Sequence, residues 1–147
     1  MSKGINISLP QDQLIKFNTW TKAVSNENDR QVGTLVTGAI LKLQARAIMF
    51  APVDHGFLRS AIRPSFANNR KSGTVYANKI YAPFQEFGTR PRAIIPNDAM
   101  DYGINPKEWM VSNPKRLTNV RPNPFLLPAA RLTSKEFFMK LKQMGFK

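Results

Sequence analysis

Between Arg30 and Phe50 apolar residues recur every three or four positions. Val32, Leu35, Val36, Ala39, Ile40, Leu43, Ala47 and Phe50 form one stripe, with Gln31, Thr34, Lys42, Gln44 and Arg46 away from it. A 3.6-residue period places such positions on one face, so the spacing predicts a helix of about five turns with one side in a core. Asn26, Asn28 and the neighbouring acids supply its start, because short polar side chains and early negative charge satisfy free backbone N–H groups. Pro52 ends it by disfavouring helical geometry at Ala51. Gly33 and Gly38 each cost about 1 kcal/mol relative to alanine, so this helix depends on packing.

The period changes elsewhere. "INISL", Ile5 to Leu9, alternates apolar and polar residues and predicts a short strand. Pro10 can open a helix, and Leu14, Phe17 and Val24 follow at helical spacing. "SAIRPSFANN" and "GTVYAN" read as strands joined by the hairpin loop "NRKSG", and Pro64 puts the first at an edge or a bulge. In "YAPFQEFGT", Tyr81, Phe84 and Phe87 repeat every three residues, predicting a short helical turn closed by Gly88. Residues 89–122 hold Pro91, Pro96, Pro106, Pro114 and Pro122 with little periodicity, which predicts an extended excursion with short ordered pieces. Helical spacing then resumes through Leu132, Phe137, Leu141 and Met144. The expected architecture is α+β: a long N-terminal helix packed on a small, mostly antiparallel sheet, a Pro-rich extended excursion, and a C-terminal helix. One domain over residues 1–147 accommodates all of it, with 89–122 as a loop insertion.

Composition narrows the function. A chain of 147 residues can bury a core without metal or disulfide support. The absence of cysteine removes disulfides, zinc–thiolate sites and thiol nucleophiles together. No uninterrupted apolar run approaches the ~20 residues of a membrane span, and "MSKGINISLP" lacks the apolar segment of a signal peptide, so a cytoplasmic product is expected. Charge is the unusual quantity: 22 Lys and Arg face 9 Asp and Glu, for a formal net charge of +13. Such a balance favours anionic partners. The cations are dispersed in short pairs, such as Arg70-Lys71 and Lys115-Arg116, so no dedicated DNA-reading arm is visible.

Candidate chemistry is sparse. The one histidine, His55, lies between Asp54 and Gly56. Neighbouring side chains on an extended chain point to opposite sides, which argues against an Asp54–His55 pair. Turn chemistry explains each residue: Asp54 caps or forms an Asx turn, Gly56 takes positive φ, and His55 is exposed. The acids show no spacing diagnostic of a glycosidase pair. Glu86 stands among aromatic residues, where a carboxylate needs a partner, and Arg59 or Arg63 is the expected ion-pair cation. "GTLVTG" and "GTRPR" lack the pattern of a phosphate loop. No catalytic residue, cofactor or metal site is therefore expected. Tyr76, Tyr81, Phe84 and Phe87 could stack on bases in a basic protein, although aromatic residues in such elements more often fill a core.

Three segments, taken in order, add a composite signature: "APVDHGFLRSAIRPSF", "YAPFQEFGTR" and "NPFLLPAARL". Together they resemble the tail-completion, or neck, family of long-tailed bacteriophages. The matching positions are Ala51, Pro52, Val53, Asp54, Gly56, Leu58, Arg59, Ser60 and Ile62, then Tyr81, Ala82, Glu86, Phe87, Gly88 and Thr89, then Pro124, Phe125, Leu126, Pro128 and Ala129. His55 stands where the family usually has threonine, and 89–122 is longer than in compact members. The resemblance implies a structural virion protein and no enzyme. It implies a subunit of a homo-oligomeric ring of six, or alternatively twelve, in the neck between the connector of a DNA-filled head and the tail. Its partners would be connector or head-closure proteins and tail-terminator or tail-tube proteins. DNA would pass through the lumen without sequence-specific binding, no membrane would be involved, and the protein would reach the virion after synthesis in the host cytoplasm. Asp54 and Gly56 would form the helix-to-strand turn. In such a ring the excess charge is expected at ring–ring contacts, with Arg90, Arg92, Lys115, Arg116 and Arg121 as candidates. The alternative is a soluble basic nucleic-acid-binding module.

Overall fold

A computed structural model describes residues 5–8, 26–53, 56–89, 93–104 and 120–143. The apolar stripe read from the sequence becomes helix α1, Asn26–Phe50. Val32, Val36, Ile40, Leu43 and Ala47 are buried along it, with Leu35 and Phe50 partly so. The last turn closes when the Ala51 N–H donates to the Ala47 carbonyl at 2.9 Å, and Pro52 prevents another turn. Helix α2, Phe57–Ser60, is a single turn that leads into strand β2, Ile62–Phe66, and a hairpin returns as β3, Gly73–Ala77.

Strand β1, Ile5–Ser8, pairs with the far side of β3, giving the antiparallel order β1-β3-β2. Ile5 and Ile62 both stand opposite Ala77 in the register. Period-2 alternation turns Ile7, Ile62, Val75 and Ala77 into the core, while Asn6, Arg63 and Ser65 face outward. β2 is an edge strand, which is why Pro64 is tolerated without a donor N–H.

Helix α3, Ala82–Phe87, follows with Ala82, Pro83, Phe84, Glu86 and Phe87 all buried. A 3-10 helix, Asn97–Tyr102, and the C-terminal helix α4, Leu126–Gln143, complete the described elements. α4 packs along α1 and reaches β1, while α1 lies on β2 and β3. The core therefore sits between the sheet and a helix pair, the α+β arrangement expected. The helix expected after Pro10 lies outside the described residues.

Helical spacing alone does not mark the covered side of the C-terminal helix: Leu132, which follows that spacing, is 48% exposed. The buried residues are Leu126, Leu127, Ala129, Ala130, Thr133, Ser134, Phe137 and Leu141, because α1 and the 3-10 helix cover small and hydroxyl residues as well as large apolar ones. Within the excursion, the described residues 93–104 hold a short ordered piece of the kind expected. Ala99 and Ile104 enter the core, and Asp98 takes both ends of the Arg131 guanidinium at 2.6 and 2.5 Å.

Candidate functional site

Helix α4 begins without a capping side chain of its own. Its preceding residue, Phe125, offers no acceptor, so the first N–H groups of the helix need one from elsewhere. Glu86 supplies it from α3. Its Oε2 accepts the N–H of Phe125 and of Leu126, each at 2.9 Å, and its Oε1 accepts the N–H of Leu127 at 2.8 Å. The carboxylate is 2% exposed. A negative charge at a helix N-terminus is doubly favoured, by the three donors and by the helix dipole.

Burial pushes the Glu86 carboxyl above its ordinary range, while the three backbone donors and the charge of Arg131 pull it down. The expected ion pair with Arg59 or Arg63 is not what satisfies this group. Arg59 donates its Nε to the Ala51 carbonyl at 3.0 Å, bracing the turn between α1 and α2, and Arg63 is exposed on the outward face of β2. Backbone donors replaced the guanidinium because α4 starts directly against α3.

The residues after Glu86 continue the clasp. Gly88 ends α3 at φ 77°, and a Cβ there would lie 2.8 Å from both Pro122 Cδ and the Val120 carbonyl oxygen. Only glycine permits that backbone and that approach. Thr89 and Val120 bond reciprocally: the Thr89 N–H donates to Val120 O at 2.9 Å, and the Val120 N–H donates to Thr89 Oγ1 at 2.7 Å. The Asn123 N–H adds a bond to Gln85 O at 2.7 Å. Residues 85–89 and 120–127 are thus joined bond by bond, closing the base of the excursion.

Comparison with protein-family models, characterised proteins and solved structures finds no match.

The remaining sequence candidates distribute as follows. Gly56 has φ 75° and precedes α2, as the turn reading required, with its carbonyl accepting the Ser60 N–H at 3.0 Å. Asp54 and His55 lie outside the described residues, as do Arg90, Arg92, Lys115 and Arg116. Arg121 is exposed and lines an open, mostly apolar cleft of about 720 Å³ together with Glu86, Phe87, Ile94 and Leu127. Phe84 and Phe87 are core residues, whereas Tyr76 and Tyr81 are only partly buried.

A second polar cluster went unread in the sequence. Glu136 on α4 accepts Lys42 Nζ at 3.0 Å and also Arg46, whose other nitrogen donates to Thr133 Oγ1 at 3.2 Å. These two cations hold the Glu136 carboxyl down at about 2. Charge at helical spacing hinted at both partners, yet nothing in the sequence showed that α1 and α4 lie side by side.

Proposed function

We propose that this chain is a structural subunit of the neck of a long-tailed bacteriophage, forming a ring between the connector of the DNA-filled head and the tail. One observation supports the reading. Segments that resemble that family are also segments this fold uses to hold itself together: Glu86 to Thr89 clasp the start of α4, and Arg59 braces the corner from α1 to β2 through the Ala51 carbonyl. Both oxygens of Glu86 are engaged by backbone donors, an arrangement suited to fixing a helix. In this reading Arg90, Arg92, Lys115, Arg116 and Arg121 face the acidic surfaces of neighbouring rings.

Salt separates this reading from a basic nucleic-acid-binding module. Copies carrying +13 repel one another, so added salt screens the repulsion and favours self-assembly. Binding to DNA releases counterions and weakens steeply with salt. Light scattering and electron microscopy across a salt series, with and without DNA, read both. Discrete rings that persist or grow with salt support the neck subunit. A monomer that binds DNA tightly at low salt and releases it at high salt overturns it.

A further inference from the structure

Helix α4 turns a mixed face to solvent. Leu132 and Met139, seven residues apart and so on one line of the helix, are 48% and 52% exposed. Lys135 and Lys142, also seven apart, lie along one side of that line and are exposed. Lys140 lies along the other side, where it shares a shallow depression with Lys42 of α1. Among the described residues, Lys135, Lys140 and Lys142 make no ion pair.

The charge balance of this face is one-sided. Glu136 is shared by Lys42 and Arg46 and neutralises only one of them, while Asp98 engages Arg131. Even with the exposed Asp101 of the 3-10 helix included, six cations face three carboxylates. The negative end of the helix dipole accounts for Lys140 and Lys142 in the last turn. It accounts for neither Lys135 nor the exposed Leu132 and Met139.

We propose that this face of α4 docks an acidic amphipathic helix of a partner protein. An apolar line between two rows of cations is one half of a paired-helix seam. In such a seam apolar residues meet along the centre, and charges at the edges choose the partner. The complement carries apolar residues on its centre line and Asp or Glu beside it. A second copy of this chain fits poorly, because α4 against α4 sets lysine against lysine. Duplex DNA would lay phosphates across Leu132 and Met139, so the phosphates would lose water and gain no partner there. Two apolar side chains also give a bilayer little to hold, since interfacial binding scales with buried apolar area. The inference uses only this surface and its charges, and stands apart from the ring reading.

Size sets the strength. The 18 residues of α4 span about 27 Å, and one helix face offers less than the ~800 Å² per partner of a standard stable interface. The contact is therefore transient, quick to form through charge and weakened by salt.

The probe is a fluorescein-labelled helical peptide of about three heptads, with leucine on its centre line and glutamate flanking it. Fluorescence anisotropy follows its binding, and circular dichroism checks that each variant of the full chain is folded. The expected result is saturable binding that Lys135→Glu with Lys142→Glu weakens about tenfold or more, and Leu132→Ser with Met139→Ser several-fold. Arg63→Glu with Arg70→Glu makes the same charge change at exposed sites on β2 and the hairpin, and should weaken binding by about threefold or less. Equal weakening by the two charge reversals would leave net charge as the sole cause and overturn the proposal. So would equally tight binding of a peptide with serine for leucine or lysine for glutamate, or no binding up to millimolar peptide. Duplex DNA or phosphatidylglycerol vesicles that displace the peptide from the wild type, and bind the Lys135→Glu, Lys142→Glu variant far less, would reassign the face and overturn it too.

Discussion

Glu86, Gly88 and Gly56 carry most of what single residues decide. Glu86→Gln keeps one acceptor oxygen but turns an amide NH2 toward groups that themselves donate. At least one buried N–H then loses its acceptor, at a cost of about 2–4 kcal/mol. For a chain of this size that lowers Tm by about 2–4 °C per kcal/mol, readable by circular dichroism. An unchanged Tm contradicts the clasp. The two glycines separate strain from crowding. Gly56→Ala meets positive φ with nothing within 4 Å, and should cost about 1–2 kcal/mol. Gly88→Ala adds contacts at 2.8 Å to the same strain and should cost about 2–4 kcal/mol. Denaturant midpoints in the reverse order would show that Pro122 and Val120 yield easily.

Between elements, the joint of α1 with α4 is both apolar and ionic. Leu43 is fully buried while Leu41, two positions away, faces outward, so Leu43→Ala should cost about 2–5 kcal/mol and Leu41→Ala within about 0.5. Equal losses would mean that α1 is rotated. The ionic part predicts an acid limb. Glu136 has its carboxyl lowered from 4.5 to about 2, so its contribution is present above about 4.5 and is lost as pH falls toward 2. Glu136→Gln should flatten the decline of Tm across that window. Glu86 has the opposite sign: its raised pKa favours the fold below its ordinary value and opposes it as pH rises through the shifted one. A Glu136→Gln profile as steep as the wild type would assign the acid limb to other carboxylates, Asp98 with its Arg131 partner first among them.

At the scale of the whole molecule, the net charge of +13 bears on the proposed ring. Six copies would carry about +78, six times the +13 of one chain, which opposes closure until anionic surfaces compensate it. Under the proposed neck function, reversing Arg90, Arg92 and Arg116 to Glu should leave heads and tails intact and reduce the joined particles, scored separately by electron microscopy. Joining at the normal rate would remove the excursion from the docking surface. The charge would then belong to the solvated exterior, where Lys and Arg reside in most proteins.

What the sequence determined by itself is local. The stripe of α1, the β2–β3 hairpin with Pro64 at an edge, and the α3 turn closed by Gly88 follow from periodicity and backbone chemistry, which neighbouring residues impose on one another. Only the tertiary structure decided who satisfies whom. The acceptor for the start of α4 comes from about 40 positions upstream, and its donors are backbone N–H groups that every residue but proline carries and no side-chain pattern marks. A carboxylate stranded among aromatics was legible, but not that the start of α4 answers it. The same limit applies to Leu132, whose helical spacing was legible but whose exposure depends on which elements cover α4. It left β1 without a partner until β3 was seen to have a free edge. Local periodicity shows which face of an element is apolar; contact between distant segments settles which face is covered.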